Sequence, residues 1–342
     1  MPDTLLPDVA TLHRSLLTLD THIDIPWPKG PDAFQDGARR VDVPKMRRGG
    51  VCGGCFAAFV PQDKCTPENE QAAFERAVAM LQAIRLMDRT EGWITARVCT
   101  TADEIIAARE DDVVAVVPAV ENGFAIGSDL SRLRRLRDLG ARYLTLTHNG
   151  HNALADSANP RADLGDPKEE HGGLSALGRQ AVAELNTLGI LVDVSHASKP
   201  AMLQAAETSR TPIVATHSSI RAVCDHPRNL DDEQLDVPRQ VGELVSVTAV
   251  AGFLRLDTKP NQVSVDDFAD HIDHAVRRIG IEHVGISSDF DGGGWFSGWL
   301  DASDSRNITA GLMRRGYDRE QLAALWSGNF LRLLREAERA AD

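Results

Sequence analysis

Six apolar, strand-like runs in this chain each close on residues able to bind a metal or move a proton: His22 with Asp24, Glu121, His148, His196, His217 and Asp289. Runs such as LLTLDTHID, ILVDVSH and HVGISSD are β-branched and continuously apolar, as strands buried on both faces should be. They turn polar only at their carboxyl ends, which is where α/β barrels place their chemistry. A doubly wound open sheet would gather ligands at one crevice where the strand order reverses. Ligand candidates from six strands spread over the whole chain fit a closed ring better. The expected fold is α/β, a (β/α)8 barrel of the TIM type.

The 342 residues suit a single barrel domain spanning 1–342, since such barrels run from about 200 to over 400 residues. Strands are expected near 16–23, 51–60, 113–120, 142–148, 189–195, 212–217, 243–250 and 283–288. Helices are expected over 67–89, 173–188 and 265–279, where apolar residues recur at three- and four-residue spacing. Segments 149–172 and 290–304 are long loops, a length that often accompanies function. The hydrophobic share of 42% and charged share of 25% are ordinary for a globular chain.

A net charge of −13 argues against nucleic acid and anionic lipid as partners. The N-terminal MPDTLLPDVATLHRS has no basic region followed by an apolar stretch, and no window approaches the roughly 20 apolar residues of a membrane span. The closing RLLREAERAAD lacks a hydrophobic tail for lipid-anchor exchange. A cytoplasmic protein without a membrane anchor is expected. The five cysteines, Cys52, Cys55, Cys65, Cys99 and Cys224, are odd in number and scattered, which fits reduced thiols. The lone Cys52-x2-Cys55 has no second pair to complete a zinc tetrahedron, so small residues packing a buried strand explain it better.

Each site candidate has an ordinary explanation when taken alone; the weight lies in the set. His22 and Asp24 share one face of a strand end, so both can reach one metal. Glu121 ends VVAVVPAVE, where an unpaired carboxylate is costly to bury and calls for a cation. His196 and His217 close two successive strands. His271 and His274, in DDFADHIDHAV, lie on a helix away from any strand end and are expected at the surface.

The ordered motifs DTHIDIPW, PAVENG, LTLTHNGHNALADS, VDVSHAS, THSSIRAVCDHPRNLDD and SSDFDGGG, through the final GNFLRLL, resemble the membrane dipeptidase (renal dipeptidase) family, peptidase family M19, of the amidohydrolase superfamily. The similarity covers nearly the whole chain. It implies a metal-dependent hydrolase barrel of the amidohydrolase type, two Zn2+ per chain, and hydrolysis of dipeptides by a metal-bridging hydroxide. Carried over residue by residue, His22 and Asp24 would bind one zinc and His196 and His217 the other, with Glu121 bridging. His148 would polarise the substrate, Arg228 in HPRN would bind its carboxylate, and Asp289 would transfer the proton. The family also suggests a homodimer and tolerance of a C-terminal D-amino acid.

The chain departs from the pattern at Ile23, where Asn is more usual, and in GGCFAAF, which lacks the Gln and aromatic residues associated with better-known relatives. Those departures bear on side-chain preference. The alternative within the superfamily is a hydrolase of another bond: a lactone, cyclic amide or N-acyl amino acid. Many such enzymes bridge their metals with a carbamylated lysine, yet none of Lys29, Lys45, Lys64, Lys168, Lys199 and Lys259 lies in or beside YLTLTH, leaving Glu121 to bridge. A non-catalytic barrel would have lost a ligand or the proton shuttle, and all eight positions are filled.

Overall fold

A computed structural model describes residues 8–24 and 30–341, except for the side chains of 238–241. Positions 25–27 of DTHIDIPW, Lys29 and the first seven residues of the N-terminal stretch lie outside the described residues. Among the described residues ten strands form: β1 Leu19–Asp24, β2 Gly53–Phe59, β3 Arg89–Glu91, β4 Ile94–Val98, β5 Val114–Glu121, β6 Tyr143–Thr145, β7 Leu191–Asp193, β8 Val214–Ser218, β9 Leu244–Thr248 and β10 Val284–Ser287. Eight of them pair in parallel in the order β1-β2-β5-β6-β7-β8-β9-β10. These eight are the expected strands: five lie within their expected stretches, and β1, β5 and β8 run one residue beyond theirs, to Asp24, Glu121 and Ser218. The ring closes where Asp24 N donates to Phe290 O at 3.0 Å and Asp289 N to His22 O at 3.1 Å.

The remaining two strands are an addition that the apolar pattern did not announce. β3 and β4 make an antiparallel hairpin, and β4 runs parallel to the first half of β5, from Ala96 opposite Val114 to Val98 opposite Val116. The second half of β5 pairs with β6 instead. The hairpin turns through Gly92 at φ 61°, a conformation glycine adopts without penalty. Its tip residue Trp93 is 75% exposed, so this element lacks the continuous apolar run that marks the barrel strands.

The expected helices form over Pro67–Arg85, Ala176–Thr187 and Val265–Ile279, each started by a side-chain cap from Thr66, Ser175 or Ser264. Their apolar faces pack on the outward residues of the barrel, in a core that includes Val116, Val192, Val247 and Ile286. A second cluster gathers Leu19, Cys55, Val117, Tyr143, Leu191, Val214 and Leu244 from seven strands, with Phe330 and Leu334 of the C-terminal helix. Apolar packing thus fills much of the barrel below its upper rim.

One expectation fails. His271 is 0% exposed, with Ile220 N donating to its Nδ1 at 3.0 Å and its Nε2 3.2 Å from Leu254 O. It fastens the Val265–Ile279 helix to two neighbouring segments. His274 is half-buried, with Nε2 3.8 Å from Asp232. The helix turns its DHIDH face partly inward because the segments around Ile220 and Leu254 cover it.

Candidate metal centre

The rim residues arrive from separate strands. His22 and Asp24 end β1, Glu121 ends β5, and His217 lies in β8. His148, His196 and Asp289 stand a few residues beyond β6, β7 and β10. His196 and Asp289 hold left-handed φ values of 65° and 55°, which non-glycine residues seldom adopt and which recur at functional positions. The turn after each strand therefore aims the side chain back over the barrel mouth.

Glu121 is the hub. Its Oε2 lies 3.6 Å from His22 Nε2, while its Oε1 lies 3.2 Å from His196 Nε2, 3.4 Å from His217 Nε2 and 3.8 Å from His148 Nε2. One carboxylate thus faces two sets of nitrogens, one through each oxygen. Asp24 Oδ1 and Asp289 Oδ1 approach His22 Nε2 at 3.8 and 3.9 Å. His22, Glu121, His196 and His217 are all buried.

The donor set fits metal ions. His22 Nε2 and Asp24 Oδ1 are buried without a hydrogen-bond partner. The Nε2 atoms of His196 and His217 face each other at 2.9 Å. Ligand atoms of His22, Glu121 and His217, and likewise of Glu121, His148 and His196, lie within 4.8 Å of one another. Across the site, the His217 ring centroid lies 3.8 Å from that of His22 and 4.9 Å from that of His196. The outer ring nitrogens are braced as those of metal-bound imidazoles are. His22 Nδ1 meets Tyr143 Oη at 2.8 Å, and His217 Nδ1 meets Thr216 Oγ1 at 2.9 Å. Thr216 Oγ1 in turn donates to Asp193 Oδ2 at 2.7 Å.

The electrostatics point the same way. Burial opposes protonation of His22, yet Glu121, Asp24 and Asp289 around it lift its pKa to about 10. Burial and the neighbouring Glu121 hold Asp24 well above the usual carboxylate range. Asp289 is pushed up to about 7, by burial first and by Glu121 against the pull of His22 and Arg228. Three buried carboxylates around one imidazole leave a negative excess that a cation relieves.

Arg228 completes the site from the loop after β8. It is 3% exposed, Nη2 donates to His217 O at 3.1 Å, and Nε is buried without a partner. No carboxylate lies within ion-pair distance of it among the described residues. Burial draws its pKa down to about 10, with Asp289 and Glu121 opposing the shift.

All eight expected residues meet at this rim. Tyr143, Thr216 and Asp193 were not anticipated, although an aspartate inside the apolar ILVDVSH run was a signal that something nearby must satisfy it. Arg39 had no such signal. Its buried guanidinium reaches Asp24 O at 3.4 Å and Asp291 Oδ2 at 3.4 Å from a segment far from any barrel strand.

A barrel with this donor set at the carboxyl ends of its strands has the architecture expected of a metal-dependent hydrolase. The sequence model of the membrane dipeptidase family, peptidase family M19, matches residues 7–342. Dipeptidase tcpJ of Claviceps purpurea is 31% identical over 317 residues, 91% of this chain and 73% of that protein. Among solved structures, the probable dipeptidase PvdM from Pseudomonas aeruginosa superposes with a TM-score of 0.93 at 30% identity, covering 100% of both chains. A metallo peptidase from Rhodobacter sphaeroides, liganded with a phosphinate mimic of the dipeptide L-Ala-D-Ala, gives 0.81 at 28% identity over 94% of this chain and 99% of that one. The chain belongs to the membrane dipeptidase family, peptidase family M19, and is a metallo-dipeptidase.

Proposed function

We propose that this single barrel domain hydrolyses dipeptides bearing a free C-terminal carboxylate, including those with a C-terminal D residue, at a centre of two zinc ions. His22 and Asp24 would hold one ion and His196 and His217 the other, with Glu121 serving both. Bound there, the ions would supply positive charge that acidifies a water molecule and polarises the scissile carbonyl. Asp289, buried beside His22, would take the proton of that water and deliver it to the leaving amine. His148, 23% exposed at its side chain and facing the cleft, donates a hydrogen bond to the oxygen on which charge develops.

The observation that carries the substrate class is Arg228, a buried guanidinium with no carboxylate partner beside the metal ligands. A planar fork of this kind binds a carboxylate in a bidentate way, which confines good substrates to peptides whose C-terminus lies one residue from the scissile bond. The phosphinate mimic held by the Rhodobacter sphaeroides neighbour supports tolerance of a D residue at that position. We further propose a homodimer in the cytoplasm, the latter supported by five cysteines that are all free. No helix among the described residues is long and apolar enough to cross a membrane.

The test is elemental analysis followed by a panel of L-Xaa-L-Xaa and L-Xaa-D-Xaa dipeptides, with tripeptides and dipeptide amides as controls. About two zinc ions per chain and turnover confined to free dipeptides are expected. Full activity at one metal per chain contradicts the two-ion centre. Good turnover of tripeptides or amides contradicts the carboxylate reading.

A further inference from the structure

Gly292 lies in the turn after Asp289, on the exposed rim of the cleft. Its N–H donates to Asp289 O at 3.2 Å, and the same carbonyl accepts from Gly293 and Gly294. Gly292 does not have the left-handed backbone that requires glycine, so a turn alone does not explain why no side chain is present. The explanation lies in front of it. A Cβ there would stand 2.3 Å from Asp289 Oδ1 and 2.4 Å from Asp24 Oδ2, and 3.1 Å from Asp24 Cγ.

These two oxygens belong to carboxylates from opposite ends of the chain, one on β1 and one beyond β10, brought together only by closure of the barrel. Both carboxylates also face His22 Nε2, through Asp24 Oδ1 at 3.8 Å and Asp289 Oδ1 at 3.9 Å. A methyl group at 292 cannot share the space that Asp24 Oδ2 and Asp289 Oδ1 occupy. Relief is easy, because the atoms in the way are the free ends of two short side chains rather than backbone. Turning both carboxylates away clears the clash and leaves the fold intact, but carries them out of their places beside His22.

We propose that Gly292 is a positioning residue: its missing side chain is what lets Asp24 and Asp289 stand side by side at the His22 half of the centre. The proposal rests on the two-metal reading above and adds a residue that holds no metal and touches no substrate. It also predicts a selective defect. The half built on His196 and His217 has no contact with Gly292 and keeps its metal. The half built on His22 and Asp24 weakens.

The experiment compares Gly292→Ala with wild type and with Gly252→Ala, whose added methyl meets nothing within 4 Å. Holoenzyme is dialysed against a series of buffered free-zinc concentrations and its metal content measured, and urea unfolding is followed separately in excess chelator. Wild type and Gly252→Ala should hold two zinc ions over the same range. Gly292→Ala should keep one at wild-type affinity and need about 10- to 100-fold more free zinc to fill the second, the usual effect of disturbing a residue that orients a ligand. Its unfolding midpoint in chelator should match that of wild type. Equal affinity of Gly292→Ala and wild type at both sites overturns the proposal while leaving the two-metal reading standing. A lowered midpoint in chelator also overturns it, by making the glycine a requirement of the backbone. A wild type that binds fewer than two ions overturns the reading and the proposal together.

Discussion

Asp289 has the surroundings of a group that both takes and gives a proton: buried, braced in a left-handed turn, and flanked by Glu121 and Arg228. Asp289→Asn keeps its shape and removes the base, so kcat should fall at least about 100-fold while zinc content, measured by elemental analysis, stays the same. Near-normal kcat would move the proton to another group. Arg228 tests the substrate in the same way. Arg228→Met should lower kcat/KM for a free dipeptide by the equivalent of about 2–5 kcal/mol, the scale of removing one partner of a buried charge pair. It should barely change the already poor rate on the dipeptide amide, because that contact is absent there. Equal losses on both substrates would make Arg228 a brace for its loop.

Between residue and molecule stand the elements that aim these side chains, and the 149–172 loop is the least regular of them. It is held by one buried carboxylate. Asp156 accepts from Glu170 N at 3.1 Å, His171 N at 3.0 Å and Gly173 N at 3.0 Å, while the neighbouring Ser157 Oγ donates to His148 O. Burial alone would raise the pKa of Asp156, yet the amides hold it below the ordinary carboxylate value. Asp156→Ala leaves those amides without an acceptor, at about 1–3 kcal/mol. Amide exchange over 166–175 should accelerate, and kcat/KM should drop because His148 loses its support. Unchanged exchange would mean that the loop is held elsewhere.

At the scale of the whole barrel, stability depends on histidines that are buried uncharged. Burial lowers both His13 and His271 to about 4 from an ordinary value of 6.5. Between those two values the unfolded chain binds protons that the folded chain refuses. The stability they confer is therefore complete above about pH 6.5 and is lost as pH falls toward 4, at about 1.4 kcal/mol per unit of separation for a fully buried group. Urea midpoints from pH 7.5 to 4.5 should show this fall in wild type. In His271→Gln the midpoint should be lower at pH 7.5 and should drop less on acidification. Parallel curves for the two proteins would show that His271 does not contribute to the pH dependence.

The linear sequence determined the barrel and the identity of its rim. Continuous apolar runs bury on both faces wherever they pair, so all eight barrel strands were legible, as were the polar residues that end them. The β3–β4 hairpin was not, because a half-exposed edge element carries no such run. Only the tertiary structure decided how the rim residues face one another. Glu121 divides its two oxygens between His22 and the later histidines because ring closure sets β1 beside β10 and opposite β7 and β8. Tyr143, Asp193 and Arg39 brace that arrangement through contacts between residues distant in the chain. His271 went inside because of segments that fold over its helix. Gly292 matters because closure places Asp24 and Asp289 against it. Local pattern is a property of neighbours along the chain, whereas distances between side chains from different strands exist only once the barrel has closed.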